Sequence, residues 1–337
     1  MSFRNNSFFR RMYSKSQWLQ YVWMKYHWHK AQRKLRINDV DFLRERFKNI
    51  KGYPLDLNSP VTFDERLHLY KLSCRDPLVT VCSDKIKVMD YVKQCGLEDI
   101  LIPHYAVYSR AEEVDFDNLP YPCYIKCNHL SGFNTVYYKD RPFNRKAFIR
   151  KYNFLLDHNY YIWTREWNSK NIPTGLLCEK KLECSNPDKK FLEYNIYCFN
   201  GIPKFVRVVT DDADEYGNRS DSPCLSLDIS GEPVEAQNDC QTIPKDAFEL
   251  SPNYKEMLQI AAKLATPFRF VRVDLLDVDS KIFFSEMTFD PCGGILGLEP
   301  REWDERLGSY FDISGLKIAP DAYSTDPERA KVLHYKD

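Results

Sequence analysis

The stretch from Phe270 to Gly294 constrains the fold more tightly than any other part of the chain. Two apolar runs, one around Asp274 and one around Glu286, flank a polar turn from Asp277 to Lys281. Alternation with a period of two reads as strand, so the pair reads as an antiparallel hairpin. Val271, Val273 and Leu275 are expected on one face and Arg272 and Asp274 on the other. On the partner strand Phe284 and Glu286 are expected to share a face. Two carboxylates and an arginine can then converge on one side of a sheet, where they repel unless a divalent cation or a phosphate sits there. A hairpin with solvated charges satisfies the same alternation, and periodicity alone does not separate the two readings.

A chain of 337 residues has room for two domains, or for one large enzyme with subdomains. The formal net charge is zero, so no nucleic-acid partner is expected. Eleven scattered cysteines without a CxxC pair indicate neither a zinc site nor a disulfide framework. Most lie in apolar runs, such as Leu177-Cys178, where a thiol behaves as a small core residue, and this fits a reducing cytoplasm. No apolar run is long enough to span a bilayer, and the N-terminus lacks the apolar core and cleavage site of a signal peptide.

The first 36 residues differ from the rest. They hold nine Lys/Arg and no Asp or Glu, interleaved with aromatics from Phe3 to Trp28. Trp18, Tyr21, Val22 and Lys25 follow helical spacing. Three uses fit such a helix: lying on an anionic membrane surface, packing on the body of the protein with its cations in water, or, behind these two, contacting RNA.

Further along, Thr62 and Glu65 form a capping box for a helix that runs to Leu72. A second helix is expected from about Ser83 to Cys95, stopping at Gly96. Strands are expected at Ile100–Tyr108, Cys123–Cys127, Leu176–Leu182, Glu193–Phe199 and Lys204–Val209, the last two joined by an Asn200-Gly201 turn. Residues 211–222 read as a polar loop, Tyr254–Ala265 as a helix, and 317–337 as a loose, Pro- and charge-rich tail.

Four features then fall in order. Asp84-Lys85 sets a cation at an expected helix start, a poor place for it unless an outside anion pairs with it. Lys126 on its strand precedes Asn128-His129-Leu130-Ser131-Gly132, a loop able to offer N–H groups, a hydroxyl and an imidazole to phosphate. Glu179-Lys180-Lys181-Leu182 ends a strand with an acid and a free backbone edge, which suits an adenine. The Arg272, Asp274, Glu286 hairpin closes the series.

Together with Ser59–Leu67, Arg165-Glu166-Trp167, Tyr194, Cys198–Gly201 and Glu302-Trp303-Asp304, these segments resemble the ATP-grasp family of the teichuronopeptide-biosynthesis type, found in bacterial capsule and surface-polysaccharide clusters. The resemblance covers roughly residues 55 to 312. It implies an α+β chain of ATP-grasp fold, with the nucleotide held between two α+β subdomains and an N-terminal helical extension. The expected division is a basic aromatic segment (1–58), an N-terminal subdomain (59–120), a central subdomain (121–184), a C-terminal subdomain with the metal site (185–316) and a tail (317–337).

The resemblance also implies roles. Lys85 and Lys126 are expected on the ATP phosphates, with His129, Ser131 and Gly132 in the covering loop. Glu179, Lys180 and Leu182 are expected to read adenine. Asp274 and Glu286 would ligate Mg2+, and Arg272 would steady the transferred phosphoryl group. Thr288 stands where many relatives carry a ligating Asn, and Asp290 is a candidate extra metal ligand. Arg272, Lys126 and His129 form the implied catalytic set. The implied activity is an ATP- and Mg2+-dependent carboxylate–amine ligase joining a uronic acid, in a polysaccharide or lipid-linked precursor, to an amino acid. The implied location is cytoplasmic, with residues 1–36 touching the inner face of a bacterial membrane. A sugar kinase or glycosyltransferase-like enzyme is the alternative, and a non-catalytic, membrane-docked member of an assembly complex is a third.

Overall fold

The computed structural model of the chain describes residues 16–186, 189–210, 222–238 and 240–335. The expected polar loop at 211–222, except Ser222, and the aromatic and basic residues of positions 1–15 lie outside them.

The longer helices are α1 (Gln17–Gln32), α2 (Asp39–Lys51), α3 (Phe63–Ser73), α4 (Pro77–Ser83), α5 (Val88–Gln94), α6 (Arg145–Leu156), α7 (Tyr254–Ala265) and α8 (Arg301–Tyr310). Two single-turn helices, Tyr161–Thr164 and Trp167–Lys170, come after α6.

Strands form two antiparallel sheets. The first has the order β1-β4-β2-β3, with β1 His104–Tyr108, β2 Cys123–Cys127, β3 Thr135–Tyr137 and β4 Leu176–Lys180. Cys123, Ile125, Cys127, Leu176 and Cys178 face a core completed by Phe148, Tyr152, Leu155 and Leu156 of α6. The boundary expected at 120–121 falls inside this sheet, because β1 pairs with β4 from Tyr108↔Leu176 to His104↔Glu179.

The second sheet has the order β7-β6-β5-β8-β9, with β5 Leu192–Phe199, β6 Ile202–Thr210, β7 Cys224–Leu227, β8 Phe270–Val278 and β9 Lys281–Thr288. Asn200 and Gly201 both take positive φ (49° and 76°), the backbone that a tight two-residue hairpin needs. Ile196, Val208, Val271, Val273 and Leu275 meet Met257, Ile260 and Leu264 of α7 on one face. On the other face Tyr197, Phe199 and Phe270 pack under Phe63, Leu67, Leu307 and Phe311 of α3 and α8. The polar end of that second face, with Arg272, Asp274 and Glu286, is left for the cleft.

The hairpin departs from simple alternation at one point. Asp274 stands opposite Glu286, but Leu275 stands opposite Phe284, so Ser285 is an extra residue on β9. Such a bulge reverses the facing of the residues beyond it. Phe284 therefore joins Leu275 in the apolar core and does not share a face with Glu286.

Three other expectations change. The helix expected over 83–95 begins only at Val88, after α4 ends at Ser83 and a turn over 84–87. Asp84 is the C-cap of α4, and its Oδ1 accepts from Ile86 N at 2.9 Å, holding a turn before α5 begins at Val88. The tail is held: Thr174 N donates to Leu333 O (2.7 Å), Tyr335 N donates to Thr174 O (3.0 Å), and Arg329 donates to the carbonyls of Leu35 and Ile37. Cys224 and Cys240 are joined in a disulfide, which a separation without motif did not signal.

Helix α1 lies on the body. Gln20, Met24 and Trp28 recur every four residues and are buried, with Met24 in the α6 core. Trp18, Val22 and Tyr26 form a parallel row that stays exposed.

Candidate active site

A cavity of about 350 Å3 opens between the two sheets. Lys85, Lys126, Ser131, Gly132, Glu179, Lys180, Leu182 and Glu286 all line it, so the cleft gathers most of the residues expected on a nucleotide. Strand geometry explains part of this. Tyr124 pairs with Glu179 across β2 and β4, and Lys126 lies two residues on, so Lys126 and Glu179 share the cleft face. The Lys126 ammonium donates to the Glu179 carboxylate, and His104 Nε2 lies 3.9 Å from the same group. Burial lowers the His104 pKa, against the pull of Glu179.

One expectation here is overturned. Strand β4 is interior, and Lys180 pairs with Cys123 while its N–H donates to Pro103 O at 2.9 Å. The backbone at Glu179 and Lys180 is therefore not a free edge. Leu182 packs with Ile102, Leu276 and Val278 at the link between the sheets.

The loop expected over the phosphates is rooted by Asn128. Its Nδ2 donates to Asp84 Oδ1 and to Pro173 O, both at 2.8 Å, and its Oδ1 accepts from Gly175 N at 2.8 Å. His129 is buried, with Nε2 3.2 Å from His158 O and Nδ1 3.4 Å from Asn128 Oδ1. Burial holds its pKa down at about 3, so the ring is neutral and donates to only one of these two acceptors. Both ring nitrogens thus face protein, and the loop tip at Ser131, Gly132 and Phe133 meets the cleft cavity. Gly132 has φ +78° with no atom within 4 Å of a built Cβ, so its conformation, not crowding, favours glycine.

At the far end of the cleft Arg272 organises the acids. Its Nε donates to Asp274 Oδ1 at 2.7 Å and its Nη2 donates to Asp274 Oδ2, to Thr288 Oγ1 at 3.1 Å and to Glu286 Oε1 at 3.4 Å. Thr288 Oγ1 donates to Glu286 Oε1 at 3.0 Å, and Lys85 Nζ lies 3.3 Å from Glu286 Oε2. Burial pushes the fully buried Asp274 carboxyl up, against the pull of Arg272. Burial works the same way on Glu286, but Lys85 and Arg272 outweigh it and hold the carboxyl down at about 2. Glu286 is therefore ionised at neutral pH.

The donor set suits Mg2+, which takes hard oxygen ligands such as carboxylates and hydroxyls. Glu286, Thr288 and Asp274 are the residues that would hold it, and it would supply positive charge to the phosphates. Among the described residues no three His, Cys, Asp or Glu side chains gather as a metal cluster. Both Asp274 oxygens are taken by Arg272.

Behind Arg272 and Glu286 lies a second cavity of about 310 Å3. It shares Lys85, Ser131 and Glu286 with the first and adds Arg46, Tyr160, Glu166, Asn168 and Asp290. His129, Arg272 and Thr288 line this one as well. Asp290 has a cation beside it: Lys71 Nζ is 3.4 Å away and donates to Gly293 O at 3.0 Å. Burial, with Asp290 adding to it, pushes Glu166 up to about 7. No local pattern marks Arg46 or Lys71, which sit on ordinary helices. Glu166 belongs to the Arg165-Glu166-Trp167 string but has no spacing to any other acid.

Other strings of the resemblance hold the scaffold. Asp64 accepts from Leu296 N, Gly297 N and Lys51 Nζ, and Asp304 Oδ1 accepts from Asp64 N at 3.1 Å. Arg165 is buried against Asp39 at 3.2 Å. Trp167 lies under the Arg75 guanidinium, and Trp303 packs on Phe205.

The model of the TupA-like ATPgrasp family matches residues 65–312, well over half of the chain. The chain belongs to the TupA-like ATP-grasp family. Membership gives this ATP-grasp protein its fold, whose cofactors are ATP and Mg2+. No curated protein matches it. Among solved structures it is similar to D-alanine–D-alanine ligase from Bacillus anthracis, at 16% identity and TM-score 0.37, covering 62% of this chain and 57% of that one. It is also similar to L-amino acid ligase from Bacillus licheniformis, at 11% identity and TM-score 0.39, covering 74% and 49%. A third is the ATP-grasp ligase PsnB with its minimal precursor, Mg and ADP, at 10% identity and TM-score 0.34, covering 63% and 52%. The chain thus spans between 49% and 57% of the length of these three proteins.

Proposed function

We propose that this TupA-like ATP-grasp protein is an ATP- and Mg2+-dependent carboxylate–amine ligase that works through an acyl phosphate. The observation that carries the reading is the face on which Lys85, Arg272, Asp274 and Glu286 meet, at the junction of two cavities. One cavity suits a nucleotide, with Lys126 and Lys85 spaced along it for the phosphates. The other leaves room for a second substrate beside the phosphoryl end.

In this reading a carboxylate attacks the γ-phosphorus, and ADP leaves. Lys85, Lys126 and Arg272 offset the charge on the transferred group, which is where such reactions gain most. Mg2+, held by Glu286, Asp274 and Thr288, would neutralise phosphate charge. An amine then attacks the acyl carbon: the C–N bond forms, the C–O bond to phosphate breaks, and phosphate leaves with the electron pair as the nitrogen sheds its protons. His129 serves as an anchor of the covering loop, and Ser131 and Gly132 meet the phosphates.

The proposed carboxylate is a uronic acid of a bacterial surface polysaccharide or its lipid-linked precursor, and the proposed amine is an amino acid. Both come from the family resemblance rather than from the cleft. A peripheral membrane position is proposed with them. The exposed row Trp18, Val22 and Tyr26 lies beside Lys25, Lys30 and Arg33, a surface that complements anionic lipid headgroups. The test is ADP release with uronic-acid glycans, with and without a panel of amino acids. Amine-dependent release supports the ligase; phosphorylation of a sugar without amine identifies a kinase instead.

A further inference from the structure

Away from the cleft, a cavity of about 960 Å3 opens where α1 ends, between the 3-10 turn Arg33–Arg36 and the tail segment around Glu328 and Lys331. Arg33, Arg36 and Lys331 line it and are exposed. Lys34, on the same turn, lies 3.6 Å from Glu45, but those three cations have no ion-pair partner among the described residues. Against them the wall sets one acid, Glu328, which leaves a surplus of two positive charges. Like charges drawn to one wall repel, and an anion between them removes that repulsion.

The turn is fixed from behind. Arg165 Nη2 donates to Lys34 O at 2.8 Å, and Arg329 donates to Leu35 O at 2.7 Å and to Ile37 O at 2.8 Å. Both of these guanidinium side chains are buried. Residues three apart on a 3-10 turn lie over one another, so Arg33 and Arg36 can present two forks to one set of phosphate oxygens. Leu35, Ile162 and Ala330 add an apolar wall, for which an inorganic anion has no use.

Position along the helix selects the source of the anion. Trp18, Val22, Tyr26, His29 and Arg33 follow at steps of four, four, three and four, so they share one face, and all five are exposed. The aromatic row therefore runs straight into the cationic rim of the cavity. A leaflet that received Trp18, Val22 and Tyr26 would bring its headgroups to Arg33 and Arg36. The end of α1 contributes about half a negative charge, which leaves about one and a half positive charges to be met. A phosphomonoester carries about 1.5 to 2 negative charges at neutral pH, and a phosphodiester carries less.

We propose that this cavity is a headgroup site for a phosphomonoester lipid, its phosphate on Arg33, Arg36 and Lys331 and its glycerol or alkyl stem on the apolar wall. The proposal rests on the peripheral membrane position and adds a lipid class and a discrete site to it. Attraction between a charged face and a charged leaflet does not separate headgroups at equal surface charge. A fitted pocket does.

Co-sedimentation of the full chain with phosphatidate vesicles, and with phosphatidylglycerol vesicles of matched surface charge, tests it. Phosphatidate is expected to bind about tenfold or more tightly. Arg33→Gln with Arg36→Gln erases that preference. Lys25→Gln with Lys30→Gln removes the same charge from α1 outside the cavity; it weakens binding to both vesicles and keeps the preference. All four side chains are exposed, and unchanged urea midpoints check that each variant folds. If Arg33→Gln with Arg36→Gln shifts the midpoint, Lys331→Gln replaces it. Equal binding of the two vesicles, or a preference that survives the loss of Arg33 and Arg36, overturns the headgroup site and leaves the peripheral position standing. Glycerol 3-phosphate that displaces the protein as well as phosphatidate does overturns the lipid as occupant. Binding to neither vesicle removes the peripheral position, and the headgroup site with it.

Discussion

Lys85 Nζ stands 3.3 Å from Glu286 Oε2 and joins the turn between α4 and α5 to the outermost strand of the five-stranded sheet. The same turn reaches the loop that begins at Asn128, since Lys85 N donates to Asn128 O and Asp84 Oδ1 accepts from Asn128 Nδ2. One short segment therefore ties the loop root to the acidic face. Both substrates are expected to meet where those two parts touch.

Glu286→Gln removes the ionised carboxylate from that face and leaves its shape. ATP turnover is expected to fall by about 100- to 1,000-fold, the loss seen when one electrostatic contact to a transition state is removed. Single-turnover ADP formation measures it. A loss under about threefold would show that Glu286 has no part in the chemistry.

The same carboxyl sets an acid limit on stability. Its pKa is about 2 in the folded chain against an ordinary 4.5. A depressed carboxyl stabilises the fold fully above about pH 4.5, and the contribution is lost as pH falls toward 2. The Glu286 side chain is 34% exposed, so solvent screening limits the contribution to about 1–2 kcal/mol. Urea unfolding of the unaltered chain and of Glu286→Gln should show a gap that is constant above pH 5 and narrows by pH 3. A gap independent of pH would contradict the ion pairs of Glu286 with Lys85 and Arg272.

Lys151 is buried on α6, its Nζ 3.4 Å from Thr135 Oγ1, and burial lowers its pKa to about 7. The unfolded chain binds this proton below about 10.5, so stability falls as pH drops from 10.5 to 7 and levels off below. Lys151→Met keeps the shape without the charge. It should stabilise the protein by roughly 2–4 kcal/mol at pH 7, with the gain shrinking as pH rises toward 10. Denaturant midpoints across that range read it directly.

Two tryptophans of α1 should behave in opposite ways. Trp28 is 1% exposed and packs against Trp163 (ring centroids 4.4 Å apart) and edge-on against His158 (4.6 Å), whereas Trp18 is 51% exposed. Trp28→Ala should cost about 3–5 kcal/mol of stability. Trp18→Ala should change it by less than about 0.5 kcal/mol. If the exposed row docks on lipid, Trp18→Ala with Tyr26→Ala lowers co-sedimentation with anionic liposomes and leaves stability alone. Equal pelleting of the double variant and the unaltered chain would rule the docking out.

Local patterns in the sequence were enough for much of the frame. Thr62 and Glu65 form the capping box that starts α3, with Thr62 Oγ1 accepting from Glu65 N and Glu65 Oε2 accepting from Thr62 N. Strand β2 and helix α7 occupy the expected residues, and Asn200-Gly201 makes its turn. These are short-range effects, settled by residues within one turn or one strand of each other. Lys85, Lys126, Glu179 and Glu286, which one cavity gathers, drew notice for local reasons as well: Lys85 as a cation at an expected helix start, the others as charges in or beside apolar runs.

The rest depended on partners far away in the chain. The bulge at Ser285 turns Phe284 into the core, a matter of register between strands that no single strand encodes. The tail is fixed by Thr174 and by the carbonyls just beyond α1, so its composition alone read as loose. Asp290 lies beside Lys71, some two hundred positions earlier, and shares a cavity with Glu166 and Arg46. By itself the sequence determined many of the elements and picked out residues that one cavity gathers, because alternation and capping are local. The tertiary structure alone decided which charges neutralise one another and which stay without a partner, because electrostatics and burial depend on distance in space.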